Sequence, residues 1–241
     1  NYYDIAPYEL IIPDDNEIEL GNPTLTPATA SNFDLMAEYY YPSVGILSGG
    51  VFYKSIDNFI YTTSLRDEVY NGTLYDQFIQ PQNGGTANVT GVELAWQRKL
   101  NFIPGKFWNN MSIYTNYTYT QSATDGIEGR EDGLPLAGTA NHMVNGSLAY
   151  SDDKLTIRVS VNYADDYIDE YGDEDFFDRY YDQQMFLDVN ASYAFTSKLR
   201  LFVEATNLTN QPLRYYQGIA EQIMQAEYYN ARFNLGLKLD M

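Results

Sequence analysis

Hydrophobic side chains recur at every second position through much of the chain. Leu155, Ile157, Val159, Val161 and Tyr163 alternate with Thr156, Arg158, Ser160 and Asn162. Leu187, Val189, Ala191, Tyr193 and Phe195 alternate with Asp188, Asn190 and Ser192. Leu199, Leu201, Val203 and Ala205 alternate with Arg200, Glu204 and Thr206, with Phe202 as the exception. Phe233, Leu235, Leu237, Leu239 and Met241 alternate with Arg232, Asn234, Gly236, Lys238 and Asp240. Successive side chains of a strand point to opposite faces, so each segment has one apolar and one polar face. Noisier segments of the same kind cover 31–41, 45–62, 87–99, 109–121 and 140–150. The pattern predicts about nine strands of roughly nine to thirteen residues. That length exceeds the norm for globular strands and suits a tilted crossing of a bilayer.

The connections alternate as well. Short ones lie at 42–44, 101–107, 151–153 and 196–198, and long ones at about 63–86, 122–139, 164–184 and 208–227. Short turns on one side and long loops on the other define an antiparallel up-and-down barrel of the outer-membrane kind. Aromatic residues cluster at both strand ends. Tyr39, Tyr40, Tyr41, Phe102, Phe107, Trp108, Tyr150, Tyr193 and Phe195 fall beside the short turns. Phe59, Tyr61, Tyr117, Tyr119, Tyr163, Tyr228 and Tyr229 fall toward the long loops. Rings at both rims of an apolar band are what two membrane interfaces select.

The alternation assigns faces. Leu155, Ile157, Val159, Val161, Leu187, Val189, Leu201, Val203, Leu235 and Leu237 are expected toward lipid. Arg158, Asn162, Asp188, Asn190, Arg200, Glu204, Arg232 and Lys238 are expected toward a wet lumen. Nine meandering strands leave the first and last running the same way, which an even-stranded barrel avoids. Further strands are therefore expected from upstream chain or from a partner.

Composition removes other classes. The 241 residues carry 14 Lys and Arg against 33 Asp and Glu, a formal charge of −19. Nucleic-acid binding, which needs clustered cations, is disfavoured. There is no cysteine and one histidine, His142, so thiolate chemistry and His-rich zinc sites are excluded. His142 reads as structural. Tyrosine is abundant, at 24 residues with 12 Phe and 2 Trp. No apolar run approaches the roughly 18 residues of a membrane helix, a criterion blind to barrels. The chain opens at Asn1 with no basic or apolar leader, as expected of a processed chain or a piece of a longer one.

Five blocks, taken in order, resemble one family. They are Gly21-Asn22-Pro23-Thr24-Leu25-Thr26-Pro27 followed by Ser31 to Leu35 and Glu38-Tyr39; Gly50 to Ile60; Thr90-Gly91-Val92-Glu93-Leu94; Leu134-Pro135-Leu136-Ala137 with Asn141-His142; and Ala205 to Asn210 with Tyr215-Tyr216. Their sequence is similar to the C-terminal part of the barrel of TonB-dependent outer-membrane receptors. Ala28 stands where the family usually has Glu, and Met241 where it ends on an aromatic residue. The resemblance implies an all-β fold with about nine C-terminal strands of a roughly 22-stranded barrel. It implies residues 1–30 as an extracellular loop, 31–241 as strands and loops, and no plug domain in this chain. It further implies energy-coupled import of a scarce solute such as a siderophore, a cobalamin or a glycan, without enzymatic chemistry. The implied partners are outer-membrane lipid, a TonB-type coupling protein acting through the missing N-terminal part, a small-molecule or oligosaccharide substrate, and a surface-exposed lipoprotein. The alternative is a soluble all-β carbohydrate- or ligand-binding module with acidic loops, which would need no detergent for extraction.

Two groups of residues carry candidate chemistry. Tyr70, Tyr75, Phe78, Tyr167, Tyr171, Tyr215 and Tyr216 lie in long loops, where rings either stack on a ligand or pack the loops together. The segment from Asp165 to Asp182 holds nine carboxylates, among them Asp173, Glu174 and Asp175 as candidate Ca²⁺ ligands. Like charges at this density repel, so ordering the loop needs either divalent cations or arginines. Arg66, Arg130, Arg179 and Arg214 are the nearest by topology. The interleaved Tyr167, Tyr171, Phe176, Phe177, Tyr180 and Tyr181 predict a loop that folds back over the extracellular mouth with its rings inward.

Overall fold

The computed structural model describes residues 2–239. Along them run β1 (Glu9–Ile12), β2 (Glu17–Leu20), β3 (Thr29–Tyr40), β4 (Gly45–Asp57), β5 (Ile60–Tyr70), β6 (Thr73–Asn83), β7 (Thr86–Lys99), β8 (Met111–Thr124), β9 (His142–Ser151), β10 (Leu155–Ala164), β11 (Tyr167–Glu170), β12 (Arg179–Tyr181), β13 (Gln184–Ala194), β14 (Leu199–Thr206), β15 (Leu213–Gln217), β16 (Ile223–Glu227) and β17 (Arg232–Leu239). Nine of these form one sheet in the order β17-β14-β13-β10-β9-β8-β7-β4-β3. Every pair in it is antiparallel. This is the long-stranded up-and-down wall that the alternation predicts. The wall does not close on itself in this chain, and β3 and β17 are its two edges.

Register makes the two faces continuous. One row crosses six strands as Ile113, Leu148, Val159, Val189, Ala205 and Phe233. The next row below it runs Tyr150, Ile157, Ala191, Val203 and Leu235. Between them, on the other face, lies Ala149, Arg158, Asn190, Glu204 and Asn234. A slip of one residue in any pair would put charges among the apolar rows, so register is strongly specified. The lipid and lumen sets expected from the sequence share the faces assigned to them. Met241, expected on the apolar face, lies outside the described residues.

Two of the phenylalanines that break the alternation on the polar face, Phe52 and Phe202, do so for the same reason. The Phe52 ring reaches across to Gly91 of β7, and the Phe202 ring to Gly236 of β17, each with its tip over the glycine. A Cβ at either glycine would sit 2.2 Å and 2.1 Å from the covering ring. The ring takes the space of a side chain the neighbouring strand lacks.

The expected strand over 45–62 is instead two strands. Asn58 adopts φ 53°, the left-handed region that Asn tolerates, and turns the chain out of the wall into β5. The long connections are not irregular. They carry two further four-stranded sheets, β1-β2-β6-β5 and β11-β12-β15-β16. The most buried side chains belong to this extension: Ile18, Phe59, Tyr61, Ile168 and Tyr171. Phe59 and Tyr61, expected in an aromatic rim, are therefore packing residues of the extracellular part.

Candidate functional site

The two small sheets build a collar on the long-loop end of the wall. β5 and β6 form a hairpin through Asn71 (φ 49°) and Gly72 (φ 82°), the two left-handed positions that a two-residue turn of matching twist requires. β6 hands the chain to β7 through Gly84, where a Cβ would meet the Phe59 ring at 2.3 Å. The two sheets join where Thr63 bridges Tyr171 and the Ser64 amide donates to the Tyr171 carbonyl at 3.1 Å.

Tyr171 is the keystone of the packing. Its ring is 1 % exposed and meets Tyr61 edge-on with centroids 5.6 Å apart. Its hydroxyl donates to the Pro135 carbonyl at 2.7 Å and accepts from the Ala137 amide at 2.8 Å. The Leu134 to Ala137 block is thereby fixed over the 165–183 segment. The Tyr61 hydroxyl accepts from the Glu128 amide at 3.1 Å. Burial pushes the Tyr171 hydroxyl up to about 12. A phenol held above its free value near 10 stabilises the fold below that pH, and the stabilisation is lost as pH rises from 10 through 12. Absorbance titration at alkaline pH is expected to show a late tyrosine class that ionises together with loss of collar structure. Tyr171→Phe removes one member of that class.

All four candidate arginines reach the acidic segment. Arg130 donates to both oxygens of Asp178, at 2.6 and 3.0 Å, to the Gly172 carbonyl at 2.7 Å, and to Asp175 at 2.7 Å. Arg130 and Asp178 side chains are 4 % and 2 % exposed, and the Gly172 amide donates to Asp178 at 2.9 Å. The pair is thus satisfied on both sides, the condition under which a buried ion pair holds. Arg66 pairs with Asp173 at 3.1 Å and stacks on Phe177, 3.2 Å from the ring centroid. Arg179 takes Asp169 and Glu170, both at 2.5 Å. Arg214 takes Asp182 at 2.8 Å. Burial holds the Glu170 carboxyl above the usual range, with Arg179 opposing it.

Asp173 and Asp175 therefore face arginines, and Glu174 forms an ion pair with none of the four. Among the described residues no three acidic side chains gather into a metal-holding group. Of the two ordering partners open from the sequence, the arginines are in place on this segment. Limited proteolysis of the 165–183 segment is expected to give the same pattern in calcium and in chelator. Protection that appears only with calcium would show that the arginines do not suffice.

The seven ring candidates divide by place. Tyr75, Tyr171 and Tyr216 are buried. Tyr70 and Phe78 pack on the Ile18, Leu20 and Tyr75 cluster, with Tyr70 donating to Glu9 at 2.6 Å. Tyr167 and Tyr215 flank Tyr181 in one row across three strands, with centroids 5.5 and 4.9 Å apart. Tyr181, the middle ring, reaches the barrel mouth. There a cleft of about 400 Å³ is lined by Tyr181, Phe186, Asp188, Thr206, Asn207, Gln211, Tyr229 and Arg232. Tyr181, Phe186 and Tyr229 were not among the sequence candidates; period two marks Phe186 only as a wall position. Asn207, at φ 55°, holds this rim: its amide donates to Asp188 at 2.8 Å and its side-chain oxygen accepts from the Gln211 amide at 2.8 Å. His142 sits outward on the wall, hydrogen-bonded to Tyr117 at 2.8 Å and stacked on its ring.

An open up-and-down wall, apolar outside and polar inside, with a structured extracellular collar, defines a barrel protein of the bacterial outer membrane. The chain belongs to the TonB-dependent receptor-like β-barrel family, whose model matches residues 1–208. It is similar to the ferric enterobactin receptor of Pseudomonas aeruginosa in complex with enterobactin, at 17 % identity and a TM-score of 0.65 over 98 % of this chain and 36 % of that one. It is similar to the siderophore receptor PirA of Acinetobacter baumannii, at 15 % identity and 0.61 over 92 % and 33 %. The copper transporter OprC matches at 13 % and 0.63 over 91 % and 32 %. The chain thus spans about a third of the length of these solved structures. No curated protein matches it. The soluble-module alternative is not supported: it leaves the in-register apolar outer face of nine strands without an occupant.

Proposed function

We propose that this chain is the C-terminal part of the barrel of an energy-coupled uptake receptor, and that its collar captures a scarce solute for passage inward. The supporting observation is the arginine-held collar whose Tyr167, Tyr181 and Tyr215 row leads into a luminal cleft. Rings beside Asp188, Asn207 and Gln211 suit a solute with a flat apolar face and a hydrogen-bonding edge. A metal chelate, a cobalamin and a glycan each present such faces. No group in the cleft is arranged for covalent chemistry. The coupling protein would act on parts of the receptor outside this chain.

Cells carrying the receptor should bind a labelled substrate with or without an uncoupler and accumulate it only without one. Tyr181→Ala is expected to weaken binding by about tenfold, the loss of one well-stacked ring. Accumulation that continues in the uncoupler would refute energy coupling. Unchanged binding by Tyr181→Ala would remove the cleft from the route.

A further inference from the structure

The outward face of the nine-stranded wall is almost free of charge. Among the described residues it carries Asp57 at the extracellular ends of the strands and Arg98 at the opposite ends, beside the short turns. Arg98 pairs in register with Gly45 and Ile113 and so shares a face with Leu47, Leu94 and Leu148. Its guanidinium is clamped between two rings, 4.1 Å from the Tyr41 centroid and 4.1 Å from that of Phe102. Among the described residues no carboxylate pairs with it, and its Nε is buried without a hydrogen-bond partner. The four collar arginines, by contrast, are all paired with carboxylates.

The surroundings are built for an interface. The turn after β7 leans over the outward face, placing Phe102 on Arg98 and Phe107 on Tyr150, with centroids of the latter pair 5.5 Å apart. Trp108 meets Phe107 edge-on at 5.3 Å. Lys106, in the same turn, is exposed. Rings at this level mark the height of the lipid headgroups, and short turns mark the periplasmic side.

We propose that Arg98, with its faces covered by Tyr41 and Phe102, binds the phosphodiester of a phospholipid in the periplasmic leaflet. An ammonium could serve as a point charge, but a guanidinium sandwiched between rings keeps a planar edge of N–H donors, which matches two phosphate oxygens. The rings beside it would receive the first carbons of the acyl chains. An unpaired cation on a lipid-facing wall acquires its counter-charge from the membrane itself, at a height where anionic oxygen is present.

The test uses the receptor that contains this barrel, purified in detergent and assayed by native mass spectrometry. The probes are a phosphatidylglycerol, the diacylglycerol with the same chains, and inorganic phosphate. Phosphatidylglycerol should be retained, and Arg98→Gln should lower its retention about tenfold, the scale of one lost charge-assisted bond. Arg98→Lys should fall between the two, and Arg200→Gln, on the lumen face, should match the parent. Diacylglycerol should be retained weakly and equally by all variants. Equal phosphatidylglycerol retention by Arg98→Gln and the parent would overturn the proposal. So would diacylglycerol held as well as phosphatidylglycerol by the parent, or inorganic phosphate bound in the absence of lipid. If Arg98→Gln fails to assemble, Arg98→Lys and Phe102→Leu carry the test, and parental retention by both would refute the site.

Discussion

Val159→Arg is expected to deplete the assembled barrel, while Ser160→Arg, one residue away, leaves it nearly intact. Val159 lies at the middle of β10 in the apolar row between Leu148 and Val189. Ser160 faces the lumen between Ser147 and Asp188. A guanidinium at the lipid midplane costs about 2–4 kcal/mol, and a wet lumen with a carboxylate across the strand accepts it without that penalty. A difference of this size changes the folded fraction by more than about tenfold. The measurement is the fraction running as a compact, unheated band on a gel after outer-membrane extraction. Equal bands for the two variants would mean that the faces are assigned wrongly.

Arg130→Met should loosen the collar and spare the wall. Removing the guanidinium leaves Asp178 charged and 2 % exposed, with the Gly172 amide as the one donor left to its carboxylate. Breaking a buried pair from one side costs about 3–5 kcal/mol. Hydrogen exchange should rise across 165–183 and 125–141, the two segments the pair ties together, and stay unchanged in β8, β9 and β10. The double variant Arg130→Met/Asp178→Leu should recover much of the protection, because the orphaned charge goes with its partner. If the single variant exchanges like the parent, rings alone hold the collar. Glu170→Gln is the useful contrast. Burial works against the charge of Glu170, and Arg179 keeps Asp169 when Glu170 is neutralised, so the amide should cost less than the Arg130 change.

The wall was legible in the sequence because two different solvents act on it. A strand with lipid on one side and water on the other must alternate over its whole length, and ten residues of Leu155 to Ala164 give the period time to show. β11 and β12 have four and three residues. At that length Tyr167 to Glu170 cannot be told from a loop by periodicity, and the strands exist because of cross-strand rings and Tyr171. The partners of the acidic segment were legible as a set. Opposite charge and loop adjacency pick out Arg66, Arg130, Arg179 and Arg214, but not which carboxylate each one takes. Burial settles it for Arg130 and Asp178, where the 125–141 connection packs on the acidic segment, whereas Arg66 and Asp173 meet at a partly exposed site. Phe59 and Tyr61 were misplaced because a ring near a strand end reads the same whether it meets headgroups or a neighbouring loop.

Phe52 over Gly91 and Phe202 over Gly236 set the texture of the conduit. A side chain standing upright in the lumen narrows the bore by its own length and offers a polar tip to whatever passes. A ring lying across the adjacent strand keeps the bore wide and offers a flat surface with no hydrogen bond to give. On the reading proposed above, Asn190, Glu204 and Asn234 would hold a polar solute or segment by hydrogen bonds, and these two plates would offer it none. Movement along the wall would then be a series of short bound states separated by slip planes, with each plate set by a glycine on the strand beside it. Gly91→Ser or Gly236→Ser would raise the ring off the wall and turn a slip plane into an obstruction, slowing passage without touching the capture site.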